Sequence, residues 1–448
     1  MIDVEKLVQN TDKEELKNYR MHVLNALNAA LQSVDPYNSV KNFVKKLDDT
    51  LEISSEVYDL TDFSRIYVIA FGKASIKMFN AISEIVNIDK GIVVSNVYKE
   101  IDMPNVKFIQ GGHPIPDQKS IEAGNEILNL AGETDASTLT FVLISGGGSA
   151  LVENPLIDLT RLQDLTKALM KKGADINELN AVRKHLSKIK GGKLLKNLKG
   201  TVVSLIISDV IFDPLDVIAS GPTYFDSTTF SDALSVLKKY GLDLEFDDTV
   251  KIFEKGLNGQ IQETLKRDEK LNCTFQNHII ASNYIANRAM LEYFGKIGLN
   301  ILYLGPAVQG ITSSVAKMIA GIGRSIDLGY MDIKKPVAVV FGGETTVEVK
   351  GNGVGGRNSE FTLYMVKYLQ ETNFVFASIG TDGIDGVSPA AGAIADSRTF
   401  EKAKSLNLDL NKFLENNDSF TFFDRLGDAI ITGPTGTNVA DVALLLIF

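Results

Sequence analysis

The sequence predicts an α/β protein made of two three-layer α/β domains with mostly parallel sheets. Three observations carry that expectation. Apolar, β-branched runs followed by glycine alternate with helical patterns along the chain. The first such run, Ile66-Tyr67-Val68-Ile69-Ala70-Phe71, has no polar face, as expected of a strand covered by helices on both sides of a sheet. The chain's 448 residues amount to roughly three typical domains, and one charged stretch, residues 243–270, interrupts the alternation near the middle.

Taken in order, Leu16, Tyr19, Val23, Leu24, Leu27, Ala30 and Leu31 recur at helical spacing, which predicts a packed opening helix rather than a tail. After residues 66–71, strands are expected at 92–95, 106–110, 139–145 and 202–208, with helices such as 121–131 and 159–170 between them, forming one doubly wound parallel sheet. The seam is placed at 243–272, read as a charged connecting helical segment, so that residues 1–242 form the first domain and 273–448 the second. In the second domain, strands are expected at 278–281, 300–304, 337–341 and 374–379. Residues 411–418 read as a polar loop, and 439–448 as an apolar segment docked in the core.

Composition narrows the function. A formal charge of −10, from 56 acidic against 46 basic residues, argues against nucleic acid as the main partner, because phosphate contacts need a basic surface. The single cysteine, Cys273, allows no internal disulfide, and without Cys or His at ligand spacing it reads as a core residue. The opening residues lack the basic segment and apolar run of a signal peptide, and no apolar stretch approaches the roughly 20 residues that span a bilayer. A cytoplasmic protein with no membrane partner is expected.

In open parallel sheets, ligands bind where strands end and helices begin. Gly72-Lys73-Ala74-Ser75 places a lysine at a helix start, against the helix dipole, where a cation suits a carboxylate or phosphate. Ser145-Gly146-Gly147-Gly148-Ser149 follows the most apolar strand, and three glycines there leave backbone amides bare enough to cradle an anion. No GxxxxGK[ST] motif occurs, which excludes a P-loop kinase. Over 177–197, read as helix, Arg183 and Lys190 fall on the apolar face, as a clamp for carboxylate or phosphate would. Ser208-Asp209 ends a buried strand, where a carboxylate suits a general base or a magnesium ligand. Ser220-Gly221-Pro222-Thr223 lies just beyond it.

The second half offers Gly342-Gly343-Glu344-Thr345, then Gly351 to Asn358, then Gly380-Thr381-Asp382-Gly383-Ile384-Asp385-Gly386. Residues 351–356 match GxGxxG, but the preceding residues alternate like a half-exposed strand, so the match is weak as a dinucleotide fingerprint. The glycines, with Arg357 entering a helix, suggest a second phosphate cradle, and Asp382 and Asp385 suit a metal or ribose hydroxyls. Among the four histidines, His22, His185 and His278 lie in expected helix or strand and read as structural. His113 differs, lying in the rigid Gly111-Gly112-His113-Pro114 loop after a strand, where it is a candidate to touch substrate.

Together, the Gly72-Lys73-Ala74 turn, the Gly111 to Pro114 loop, the Ser145 to Ala150 run, Ser208-Asp209-Val210, Ser220 to Thr223, Gly342 to Thr345 and the Thr381 to Gly386 block resemble, in content and order, the class II glycerate kinases. The resemblance covers nearly the whole chain and identifies residues 335–445 as similar to a MOFRL-type domain. It implies ATP-dependent phosphorylation of D-glycerate, usually at the 2-hydroxyl, in a cleft between two α/β domains, with Mg²⁺ or another divalent cation and, by family habit, a homodimer. Carried over, the family's lysine matches Lys73, its strand-end aspartate Asp209 and its C-terminal arginine Arg357. In this reading, Lys73 with Arg183 or Arg357 holds the glycerate carboxylate and the transferring phosphoryl group, and Asp209 orients or deprotonates the hydroxyl. Gly146, Gly147, Gly148 and Ser149 cradle phosphate. Lys190, Glu344 and Asp382 are assigned to the nucleotide, Ser149 also to substrate, and Asp209, Asp382 and Asp385 to metal. A nicotinamide-dependent hydroxypyruvate reductase stays open on the 351–356 match alone; a non-catalytic sugar-acid or nucleotide sensor is disfavoured by Lys73 and Asp209.

Overall fold

In the computed structural model, which describes residues 1–448, the fully apolar runs become sheet centres and the half-apolar ones edges. A small antiparallel meander, β1 (Val44–Leu47), β2 (Thr50–Ile53) and β3 (Glu56–Asp59), comes first. The first large sheet contains β4 (Arg65–Phe71), β5 (Lys90–Ser95), β6 (Val106–Gln110), β7 (Thr138–Ile144), β8 (Gly200–Ile207) and β9 (Cys273–Ala281), in the order β6-β5-β4-β7-β8-β9. Strands β4 to β8 are parallel. From β4 the chain builds outward to β5 and β6, then returns to the other flank of β4 with β7 and β8, so the winding reverses between β4 and β7. Connections on either side of such a reversal leave on opposite faces and open a crevice at the carboxyl ends of the strands. All of β7 is buried, and the helix Gln118–Gly132 covers the sheet through Ala123, Ile127 and Leu130.

The second large sheet contains β10 (Asn300–Ile311), β11 (Val337–Thr346), β12 (Phe374–Gly380), β13 (Gly392–Asp396), β14 (Ala429–Ile430) and β15 (Asp441–Ile447), in the order β10-β11-β15-β12-β13-β14. β10 and β11 are parallel, while β15 runs antiparallel between β11 and β12, and β13 runs antiparallel to β12 and β14. Four strands therefore share a direction and two oppose it. The last apolar run is more than a docked tail: it is a central strand with every residue buried. Residues 411–418, expected as loop, begin with the short helix Leu410–Glu415.

The chain divides into two units, Met1–Asp35 with Ala281–Phe448, and Pro36–Ile280. This corrects the boundaries at 242 and 273. The charged segment forms the helix Asp247–Leu257, which packs through Phe253 on Phe230 and Phe246 within the Pro36–Ile280 unit, and β9 completes that unit's sheet. The opening helix, Glu14–Ser33, belongs to the other unit and lies against the helix Asn283–Lys296, β12 and β15. Tyr19 stacks on Phe448 at 4.1 Å, and Arg20, 1% exposed, pairs with Asp396 at 2.7 Å and with Asp428.

Candidate functional site

Strands β4 and β7 pair in register from Arg65 opposite Thr138 to Phe71 opposite Ile144, so they deliver Gly72 and Ser145 side by side at the reversal. The two loops are stitched together: Lys73 N–H donates to Gly146 O at 2.9 Å and Ala74 N–H to Ser145 Oγ at 3.0 Å. Gly72 has φ +123°, and a Cβ there would fall 2.2 Å from Ser145 Oγ, so only glycine permits the approach. A Cβ on Gly146 would fall 2.1 Å from Asp209 Oδ2, which places the carboxylate from the end of β8 directly against the glycine run. A Cβ on Gly147 would lie 2.9 Å from His113 Cδ2, 3.1 Å from His113 Nε2 and 3.3 Å from Lys73 Cγ. Lys73, His113, Asp209 and the glycine run thus meet at one place.

The electrostatics there are uneven. Lys73 is exposed. Burial and the neighbouring Lys73 ammonium both push the His113 imidazole below its ordinary range, so it is neutral at pH 7. The Gly148 amide turns back to Ser145 O at 3.3 Å, which leaves Gly146, Gly147 and Ser149 to offer N–H groups to an anion. The helix Ile176–His185, capped at its start by Asp175, presents Arg183, whose Nη2 donates to Ser149 O at 3.0 Å. The Ser149 hydroxyl is anchored by Ser220 Oγ at 2.8 Å, which also reaches Asn180 Oδ1 at 3.2 Å. Lys190 does not join them. The helix expected over 177–197 ends at His185 with Leu186 as its cap, and the chain resumes helix only at Lys193–Asn197, after Gly191 and Gly192 at left-handed φ values of 60° and 74°. Lys190 lies in the break, fully buried, with its ammonium on the Glu153 carboxylate. Burial pushes its pKa down to about 8, and it is a structural ion pair rather than a nucleotide ligand.

In the other unit, the helix Arg357–Tyr368 begins at a pocket of about 600 Å³, whose walls include Glu344, Val347, Val349, Arg357, Glu360 and Val387. Arg357 is held on two sides. Its Nε and Nη2 donate to the two Asp441 oxygens at 2.5 and 3.0 Å, and its Nη1 donates to Glu344 Oε1 at 2.7 Å. Asp441 was not among the residues expected from sequence, since a lone acid at the start of an apolar run gives no signal. Burial pushes its carboxyl up to about 6 despite the pull of Arg357.

The second phosphate cradle is not there. The amides of Lys350, Gly351, Asn352, Gly353 and Val354 all donate to oxygens of Asn416, Asn417 and Asp418. Asp385 is likewise a helix cap and not a metal ligand. It is 1% exposed, one oxygen accepts from Asn358 N at 2.9 Å, and the other accepts from Ser359 N and Oγ at 2.8 and 2.6 Å. Asp382 is half-buried and accepts from Ile384 N at 3.0 Å. No group of three or more His, Cys, Asp or Glu side chains is arranged to hold a metal. The remaining histidines are structural as expected: His185 bridges Ala181 O and Glu263 at 2.6 and 2.7 Å, His22 meets Tyr293 Oη at 3.0 Å, and His278 meets Gln276 Oε1 at 2.9 Å. No helix is long and apolar enough to cross a membrane.

Comparison with known proteins covers both units. Residues 22–253 match a domain family of unknown function, DUF4147, and residues 337–441 match the MOFRL family. The chain is 38% identical to a glycerate 2-kinase of Pyrococcus horikoshii over 95% of its own length and 96% of that protein's. It is 36% identical to a D-glycerate 2-kinase of Thermotoga maritima over 97% and 99%. A crystal structure of glycerate kinase from Thermotoga maritima superimposes with a TM-score of 0.83 at 35% identity, covering 95% of this chain and 98% of that one.

Proposed function

Because the chain belongs to the glycerate 2-kinase family that carries a MOFRL domain, we propose that it transfers the γ-phosphoryl group of ATP to the 2-hydroxyl of D-glycerate. The observation that carries the site assignment is the meeting of Lys73, Asp209 and the amides of Gly146, Gly147 and Ser149 at the β4/β7 reversal. Phosphoryl transfer asks a protein for positioning and charge neutralisation more than for covalent help. Lys73 holds the substrate carboxylate, the free amides receive the phosphoryl oxygens, and Asp209 orients the attacking hydroxyl and takes its proton. Arg183, bonded to Ser149 O, adds positive charge behind the cradle. In the other unit, the valine-walled pocket beside Arg357 suits an apolar ring of a ligand.

Mg²⁺ binds through one or two carboxylates plus substrate phosphates rather than an all-protein cage. Asp209 and Asp382 are carboxylates of that kind at strand ends, while the Asp385 carboxylate caps the start of the helix Arg357–Tyr368. When bound, the cation would neutralise phosphate charge. The reductase reading is set aside, since the amides of residues 351–354 and 356 that would meet a pyrophosphate are already bonded.

The test is ADP release with ATP, Mg²⁺ and D-glycerate, and ³¹P NMR of the product against both phosphoglycerates. Glycerate-dependent ADP with 2-phosphoglycerate is expected, and Lys73→Ala should lose turnover with its fold intact. Absence of glycerate-dependent ADP overturns the activity, and an active Lys73→Ala overturns the site.

A further inference from the structure

Three of the four histidines have hydrogen-bond partners within the chain, and those of His22 and His185 tie distant parts of it together. His113 is half-buried, yet neither of its ring nitrogens has a partner within the chain. Neither nitrogen is among the fully buried unpartnered atoms, so the ring edge opens to the crevice, where its partner is a water or a ligand. The ring is not needed to hold its own loop. Gly111 N–H donates to Ser95 O at 3.0 Å, and Gly112 N–H is shared between Asp117 Oδ1 at 3.0 Å and Ser120 Oγ at 3.2 Å. Asp117 caps the helix Gln118–Gly132, and Gly111 packs so closely on the segment after the glycine run that a Cβ would fall 2.8 Å from Leu151 O. A loop pinned at four points thus presents an imidazole edge to Gly147 and to the stem of Lys73.

We propose that His113 is a substrate-binding residue, whose imidazole hydrogen-bonds the hydroxy acid at the corner formed by Lys73 and Gly147. The inference rests on the glycerate kinase reading and deepens it. A 2-hydroxy acid carries a carboxylate and a hydroxyl on neighbouring carbons. Lys73 offers a cation to the first. A neutral imidazole, with one N–H and one lone pair, offers a donor or an acceptor to the second without competing for the carboxylate. A second cation in that corner would hold a carboxylate but could not accept from a hydroxyl.

The test compares His113→Ala and His113→Gln with the parent, measuring KM and kcat for D-glycerate and for ATP, with thermal unfolding as a check on the fold. Loss of one well-placed hydrogen bond to substrate should lower kcat/KM for D-glycerate by about 10- to 100-fold in the alanine variant. KM for ATP should stay within about twofold. Glutamine, which reaches to about the position of Nε2 with an amide, should recover part of the loss. Unchanged glycerate kinetics in both variants, an equal loss toward ATP, or glutamine no better than alanine would each overturn the proposal. Lys73→Ala separates this inference from the reading beneath it. If that variant is dead while the His113 variants are normal, only the histidine assignment falls; if it turns over normally, the whole crevice assignment falls.

Discussion

Gly146→Ala adds one methyl group where the Asp209 carboxylate lies. The new Cβ would stand 2.1 Å from Oδ2, 2.7 Å from Cγ and 3.3 Å from Oδ1, whereas non-bonded heavy atoms rest at about 3.5 Å or more. The carboxylate has to retreat by about 1 Å, and a misplacement of that size costs on the order of 10²-fold in rate, or about 2.7 kcal/mol of transition-state stabilisation. The fold has little to lose. Gly146 is not in the left-handed region, the displaced atoms sit at the end of a side chain, and alanine restricts the unfolded chain by about 0.4–1 kcal/mol in favour of folding. The expected result is therefore a kcat about 100-fold lower with a melting temperature within about 2 °C of the parent. Steady-state ADP release and thermal unfolding followed by circular dichroism measure both. A kcat within about threefold of the parent would refute the placement of Asp209 at the reacting hydroxyl. A melting temperature lower by about 10 °C would show instead that the glycine serves the fold.

Asp441 sets a pH limit. Below about 6 its carboxyl is protonated and loses the charge that holds Nε and Nη2 of Arg357, so kcat/KM should rise with pH through about 6, and Asp441→Asn should lower activity and abolish that limb. Its contribution to stability has the opposite sign: with the folded value raised above that of the unfolded chain, it is full in acid and is lost as pH rises through about 6. Arg20→Met would leave Asp396 and Asp428 buried without their cation and should cost about 3–5 kcal/mol in urea unfolding; a loss under about 1 kcal/mol would contradict a desolvated pair. The Cys273 thiol, pushed up to about 11 by burial, should react with a thiol reagent at pH 8 only as the protein unfolds, and labelling at the rate of an exposed cysteine would contradict that environment.

The Pro36–Ile280 crevice was largely legible because the physics that builds it is local. A buried parallel strand must be continuously apolar, and two chains passing within van der Waals reach at its end must be glycine, so Gly72 and the 146–148 run mark the place in the sequence itself. What was not legible depended on partners distant along the chain. The spacing of Leu16 to Leu31 shows that one face is covered but cannot say by what, and the cover proved to be β12, β15 and the helix Asn283–Lys296. Asp385 and Asp209 look alike in sequence, each an acid in a polar loop near a strand end, but a helix start 27 residues earlier in the chain decided that the first is a cap. The glycines at 351–356 suggested bare amides, and only the fold brings Asn416 to Asp418 against them. Lys190 was misplaced because a helical wheel assumes an unbroken helix, and the helix ends at His185.

The way the two ends of the chain share one unit has a consequence for biosynthesis. The helix Glu14–Ser33 leaves the ribosome early, but β12 and β15, against which it lies, are among the last segments made. Meanwhile Pro36–Ile280 has its whole sheet and is free to close. The interior of the sequence therefore matures before its flanks, and the face formed by Leu16, Val23, Leu24, Leu27 and Leu31 waits uncovered in the nascent chain. Strand β15 ends that wait. It lies between β11 and β12 and pairs with both, so until it arrives two strands destined for the middle of a sheet present open edges to any other chain nearby.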